Sequence, residues 1–149
     1  MSQLKEVVPE LRSKGQALGL DLGEKTIGLS VGDKSWTIAS SVGCIQRTRF
    51  LKDLEKLKEV IRQYESVLLV VGLPLNMNGT EGPRCQSVRQ FVSHLLKKIP
   101  IHVYLQDERL STQAVTRTLL EADVSRKRRG QVVDQLAAVY ILQSTLDTL

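Results

Sequence analysis

The sequence predicts an α/β fold with one mixed five-stranded sheet, in the element order βββαβαβα, and helices on the faces of that sheet. Three observations lead there. Short apolar segments separated by tight polar turns fill the region from Leu18 to Ile45. Stretches with helical periodicity then alternate with short apolar runs, and the apolar pattern continues without a gap to Leu146. Three antiparallel strands followed by alternating helices and strands make a mixed sheet covered by helices.

Leu18 to Leu22 and Ile27 to Val31 flank Gly23-Glu24-Lys25-Thr26, which reads as a hairpin. A third strand is expected through Trp36, Ile38 and Ala39 towards Val42 and Ile45, after a turn at Gly32, Asp33 and Lys34. Leu51, Leu54, Leu57, Val60, Ile61 and Tyr64 recur at helical spacing with Lys and Glu between them. Val67 to Val71 is a mostly β-branched run, as expected of a central strand covered on both faces and parallel to its neighbour. Val88, Phe91, Val92, Leu95 and Leu96 mark a second helix that stops before Pro100, and Ile101 to Leu105 a fifth strand. Ser111 or Thr112 caps a third helix carrying Ala114, Val115, Leu119 and Leu120. Val132 to Leu146 makes the fourth, apolar nearly all round and therefore expected to be largely buried. Residues 1–16 read as a polar N-terminal extension, and 1–149 as a single domain.

The 149 residues are 42% hydrophobic and 25% charged, ordinary for a globular chain able to bury a core. No apolar run reaches the roughly 18 residues of a membrane span, and the first residues lack the apolar middle of a secretory signal. Cys44 and Cys85 suggest neither a disulfide framework nor a zinc site, so a reducing, cytoplasmic setting is expected. A net charge of +5 and a pI near 9.4 favour a polyanionic partner. Aromatic residues at 4% disfavour binding by extensive base stacking. His94 and His102 have no Cys or His at ligand spacing and read as structural or surface residues. No serine elbow or Cys-His constellation marks a covalent nucleophile, so water is the better nucleophile. Gly23-Glu24-Lys25-Thr26 is no phosphate loop, because Glu24 separates glycine from lysine and a strand follows where a helix is required.

Carboxylates carry the chemical reading. Asp21 closes an otherwise apolar strand; taken singly, an acid there often only organises a turn. Asp107 and Glu108 stand where the fifth strand ends, and helix capping explains one of them but scarcely both. Asp134 lies in the apolar last helix, where an unpaired carboxylate removed from water would cost several kcal/mol, so it needs a cation. That cation is either a metal or a basic side chain such as Arg109. Acids from two strand ends and a late helix can converge at one sheet edge. Carboxylate oxygens are the hard ligands preferred by Mg2+ and Mn2+, and two ions about 4 Å apart suit phosphodiester hydrolysis.

Four ordered motifs resemble those of the YqgF family, also called RuvX, Holliday-junction-resolvase-like proteins of the ribonuclease H-like superfamily. They are Leu20-Asp21-Leu22-Gly23 with Ile27-Gly28; Val71 to Asn76 with Gly79 to Pro83; Asp107 to Thr112; and Val133 to Ala138. The resemblance runs nearly end to end and implies a ribonuclease H-like fold and a hydrolase acting on ester bonds, with two bound Mg2+ or Mn2+ ions. It implies processing of the end of pre-16S ribosomal RNA, with junction cleavage in four-way DNA as the alternative. By motif, Asp21, Glu108 and Asp134 are the catalytic and metal-binding acids, and Asp107 stays open as a further ligand. Asn78 departs from the family, which often has aspartate there.

Asn76, Thr80 and Arg84, in the Gly- and Pro-rich loop after the central strand, are candidate nucleic-acid contacts, although such a loop can be only a turn. Arg109 and the run Arg126-Lys127-Arg128-Arg129, immediately before the last helix, are further candidates for phosphate contact. The expected partners are structured RNA or branched DNA, with the ribosome implied by resemblance alone, no membrane, and a monomer or weak homodimer. Two other classes compete. Sugar kinases and chaperone ATPases share the Asp-Leu-Gly hairpin but need paired lobes, and a catalytically silent nucleic-acid-binding module would fit the charge but not the ordered acids.

Overall fold

The computed structural model describes residues 2–108 and 126–149, by backbone alone at 2 and 126–134. Its elements are α1 (Ser2–Lys14), β1 (Gln16–Leu22), β2 (Thr26–Gly32), β3 (Ala39–Gln46), α2 (Phe50–Gln63), β4 (Ser66–Leu73), α3 (Pro83–Leu96), β5 (His102–Asp107) and α4 (Arg126–Leu146). The five strands form one sheet in the order β3-β2-β1-β4-β5. β1 is antiparallel to β2 and parallel to β4, and β4 is parallel to β5, which is the expected mixed sheet. The helix expected from Ser111 or Thr112 lies outside the described residues.

Strand alternation divides each strand between two layers. Leu18, Leu20 and Leu22 of β1, with Leu69, Val71 and Leu73 of β4, pack against Leu54 and Leu57 of α2 and Val88, Phe91 and Leu95 of α3. Ala17 of β1, with Leu68 and Val70 of β4, packs against Ile141, Leu142 and Leu146 of α4 and Leu4, Val8 and Leu11 of α1. β4 is therefore apolar on both of its faces, which explains why it shows no alternation in sequence.

Three sequence expectations change. The stretch read as a polar extension is helix α1: Leu4, Val8 and Leu11 recur at three- and four-residue spacing and are 7%, 4% and 5% exposed, so the charged residues between them occupy the solvent side. Trp36 and Ile38 precede the third strand instead of lying in it. The Asp33 carboxylate accepts hydrogen bonds from the N–H groups of Thr37 (2.7 Å) and Ile38 (3.1 Å), closing a turn. Trp36 adopts a φ of 56° in that turn, is 2% exposed, and donates its indole N–H to the Gly15 carbonyl at 3.0 Å. The last helix begins at Arg126, so the basic run is its first turn. Among the described side chains of that helix, Ala137, Ala138, Ile141 and Leu142 are buried, whereas Tyr140 is 44% exposed.

The seat of α4 is built from small residues. A Cβ on Gly19 would lie 2.3 Å from Ser30 Oγ, 2.7 Å from Leu142 Cβ and 2.8 Å from the Ala138 carbonyl. Ser30 donates its hydroxyl to that same carbonyl at 2.7 Å. Leu146 reaches Gly32, at the other end of β2, so α4 runs antiparallel to β1. Gly19→Ala must therefore push α4 off the sheet, because backbone is among the atoms it meets. The expected cost is about 1–3 kcal/mol, read as a lower Tm by roughly 2–4 °C for each kcal/mol.

Candidate metal and nucleic-acid site

Asp21 is the last but one residue of β1 and only 6% exposed. Alternation places it with Ala17 and Gly19 on the α4 face, while Leu20 and Leu22 point to α2 and α3. The register pairs Leu20 with Val71, so Asp21 continues beside Gly72 of β4. Glu108 reaches the same place from the other side. Its N–H donates to the Leu73 carbonyl at 3.2 Å, extending the β4–β5 ladder past the end of β5. Glu108 is 8% exposed and its carboxylate lies over Gly72: a Cβ there would be 2.5 Å from Ile141 Cδ1 and 2.8 Å from both Glu108 Cδ and Oε2. Gly72 is thus a cradle for the Glu108 carboxylate, a role that the sequence pattern did not assign. Its only signal is a glycine ending a β-branched central run.

Asp107 parts from Glu108. In β5 it alternates with Val103 and Leu105, which pack on the α2 and α3 side, and it is exposed. On the other side of β5, the Gln106 amide oxygen accepts from Thr145 of α4 at 2.8 Å. Asp134 belongs to the helical backbone of α4, one turn before Ala138. Ala138 sits beside Gly19, and four residues of helix advance about as far as two residues of strand, roughly 6 Å. An antiparallel α4 therefore brings its Asp134 backbone to the level of Asp21. The described side chains alone do not assemble a three-ligand metal centre. The two described acids nevertheless suit Mg2+ or Mn2+: both are buried oxygen donors on one sheet face, and the missing Gly72 side chain leaves space for one of them.

The loop between β4 and α3 is ordered by its own polar groups. Asn76 and Thr80 bond each other through backbone (2.8 Å) and side chains (3.0 Å), and Asn78 Oδ1 accepts from the Thr80 hydroxyl at 2.6 Å. Asn78 thus supplies the acceptor oxygen that an aspartate would supply, and the departure at this position leaves the turn intact. Two candidate phosphate contacts, Asn76 and Thr80, are committed to the turn while remaining at least partly accessible. Glu81 ties the loop to α3 by accepting from Arg89 at Nε (2.6 Å) and Nη2 (2.8 Å). Those bonds hold the Glu81 carboxyl below its ordinary range. Arg84 is exposed in the first turn of α3, and the basic run Arg126 to Arg129 begins α4, two turns before Asp134. Arg109 lies outside the described residues.

A mixed sheet in this order, with acids at the ends of β1 and of the edge strand β5, defines a ribonuclease H-like fold. Two solved structures share the fold: Thermus thermophilus RuvC in complex with Holliday junction substrate (TM-score 0.52, 12% identity, 89% of this chain and 94% of that one), and the fowlpox virus Holliday junction resolvase (TM-score 0.50, 10% identity, 89% and 98%). The chain belongs to the RuvX family, described as Holliday junction resolvase, whose pattern matches residues 15–148. Among its relatives is a protein of Paramagnetospirillum magneticum, 54% identical over 95% of this chain and 92% of its own length. Another, from Rhodospirillum centenum, is 50% identical over 98% of this chain and 80% of its own. Both carry the name "Putative pre-16S rRNA nuclease".

Two outcomes follow from this geometry. Gly72→Ala would displace the Glu108 carboxylate, and a shift of about 1 Å at a reacting centre costs on the order of 100-fold in rate, so the variant should stay folded by circular dichroism yet lose that much cleavage. For Glu81, the depressed carboxyl value means that the Arg89 tie is complete above the ordinary carboxylate range and is lost as pH falls through the depressed value. Protease nicking within residues 77–80 should therefore rise on acidification, and Glu81→Gln should show the raised rate already at neutral pH.

Proposed function

We propose that this chain is a divalent-metal-dependent nuclease that hydrolyses phosphodiester bonds in pre-16S ribosomal RNA in the cytoplasm. One observation carries the reading: two buried carboxylates from separate strands, Asp21 and Glu108, flank a glycine with no side chain of its own, on the face covered by α4. Two carboxylates on one buried sheet face are hard oxygen donors of the kind that divalent ions prefer. A divalent ion held there would also offset the repulsion between the two charges.

In this reading Asp21, Glu108 and Asp134 hold the ions, and Asp107, on the other side of β5, does not. Bound divalent ions would supply activation of water and stabilisation of the leaving oxygen. The chain's own contribution is position. β1 and the end of β5 fix two carboxylates through backbone ladders, and α4, seated on Gly19 and Ser30, fixes the third position. Arg126 to Arg129, in the first turn of the same helix, hold the phosphate backbone in this reading, with Arg84 and Arg109 as further contacts. Phosphate contacts of this kind position a strand without reading its sequence. The names of the relatives support ribosomal RNA as the substrate. The family's description favours a second reading, resolution of four-way DNA junctions, which requires two active sites and hence a dimer.

Cleavage of precursor RNA and of four-way DNA, with Mg2+, Mn2+ or chelator, tests both. Asp21→Asn, Glu108→Gln and Asp134→Asn should each abolish metal-dependent cleavage, a loss of at least about 100-fold, while Asp107→Asn should retain it. Folded wild type that cuts neither substrate, with binding unchanged in the acid variants, would replace the nuclease by a binding module.

A further inference from the structure

Around the sheet end from Asp21, on the face of α2 and α3, lies a cavity of about 480 Å3 that the acids do not use. It begins at Leu22 and Gly23, immediately after Asp21 in the chain, and opens between the first turns of α2 and α3. Three arginines are among the residues that line it, Arg47, Arg49 and Arg84.

These arginines are differently employed. Arg47 is fixed: it donates to the Gly23 carbonyl at 2.5 Å, and its guanidinium lies 5.7 Å from the Phe91 ring centroid. Phe91 in turn meets Phe50 edge-on at 5.4 Å, which gives the cavity a rigid aromatic floor. Arg49 and Arg84 are exposed and have no carboxylate partner among the described residues. The buried acid in the wall, Asp53, is already engaged: it is 2% exposed and accepts from the N–H (3.0 Å) and hydroxyl (3.4 Å) of Thr48. Glu24 is the other acid of the wall, so the cavity keeps an excess of positive charge. Neither Arg49 nor Gly82, the residues that precede α2 and α3, closes its helix with a side-chain hydrogen bond. The partial positive charge of both helix starts adds to that of the arginines.

Resting on the nuclease reading above, we propose that this cavity is a phosphate subsite for the part of the substrate strand that continues past the cleaved bond. Arg49 and Arg84 grip the phosphate as forked donors. Arg47, locked between Gly23 and Phe91, holds the wall beside the hairpin turn. A strand running from the acids would turn over Gly23 into the cavity, so the hairpin tip is the bend between chemistry and grip.

The test is binding of a labelled single-stranded RNA oligonucleotide by the full chain, measured by fluorescence anisotropy across a salt series with chelator present, so that no turnover intervenes. Wild type is compared with Arg49→Ala/Arg84→Ala. The control, Arg12→Ala/Lys34→Ala, removes the same charge at the opposite end of the sheet. The subsite predicts weaker binding and a salt slope reduced by about 0.7 for each phosphate no longer neutralised, with the control near wild type. Unchanged slope and affinity in the Arg49/Arg84 pair, or an equal loss in both pairs, overturns it, the second outcome leaving only net charge. Failure of wild type to bind at all also overturns it. The nuclease reading is judged separately, by cleavage in the acid variants.

Discussion

The close approach of α4 to the sheet is the constraint on which the rest of the molecule depends. Where a side chain would ordinarily stand between helix and sheet, β1 offers Gly19, β2 offers Ser30, and β4 offers Gly72. Ser30 also makes a direct bond to the helix backbone. That seat fixes three things together. It sets the height of α4, hence the position of Asp134 in its backbone; it leaves the hollow in which Glu108 lies; and it aligns the apolar layer that α1 completes. A packed interior transmits small changes of volume, because it has few voids in which to absorb them.

The candidate acids gather at one end of the sheet for a reason that lies in its connectivity. β1, β4 and β5 are parallel, so their C-terminal ends coincide and everything that follows those strands gathers at one edge. Asp21, Gly72 and Glu108 come from those ends, and the loop 74–82 and the turn at Gly23 surround them. The opposite end carries Gly15, Lys34 and Glu65 and contributes packing: Trp36 is anchored there to the Gly15 carbonyl. The candidate site and this anchoring contact thereby lie at opposite ends of the strands.

Much of this is legible in the sequence. The hairpin, the amphipathic α2 and α3, and the apolar β4 follow from local periodicity. The acids stand out because each interrupts an apolar segment. What the sequence conceals depends on partners distant along the chain. Leu4, Val8 and Leu11 have the spacing of a helix face, yet their dense charged surroundings look like a solvated tail until Trp36 arrives beside them. Trp36 itself has strong strand propensity, and only the Asp33 turn reveals why it leaves the strand. Gly72 reads as an ordinary strand terminus unless Glu108 is known to lie over it. Arg47 and Arg49 are unremarked beside Phe50 until Phe91 and Arg84 come from another helix to complete the cavity.

Local pattern was enough to establish the α/β class and the strand and helix identities of most segments, and to single out the candidate acids, because periodicity and a charge within an apolar run are properties of neighbouring residues. Which of two adjacent acids turns inward was settled only in three dimensions. Asp107 and Glu108 are chemically almost equivalent and adjacent, so no local pattern separates them. Strand alternation sends Asp107 to the side of Val103 and Leu105. The last rung to Leu73 and the space above Gly72 bring Glu108 to the side of α4. That choice is made by the pairing of β4 with β5, segments that meet only when the sheet forms.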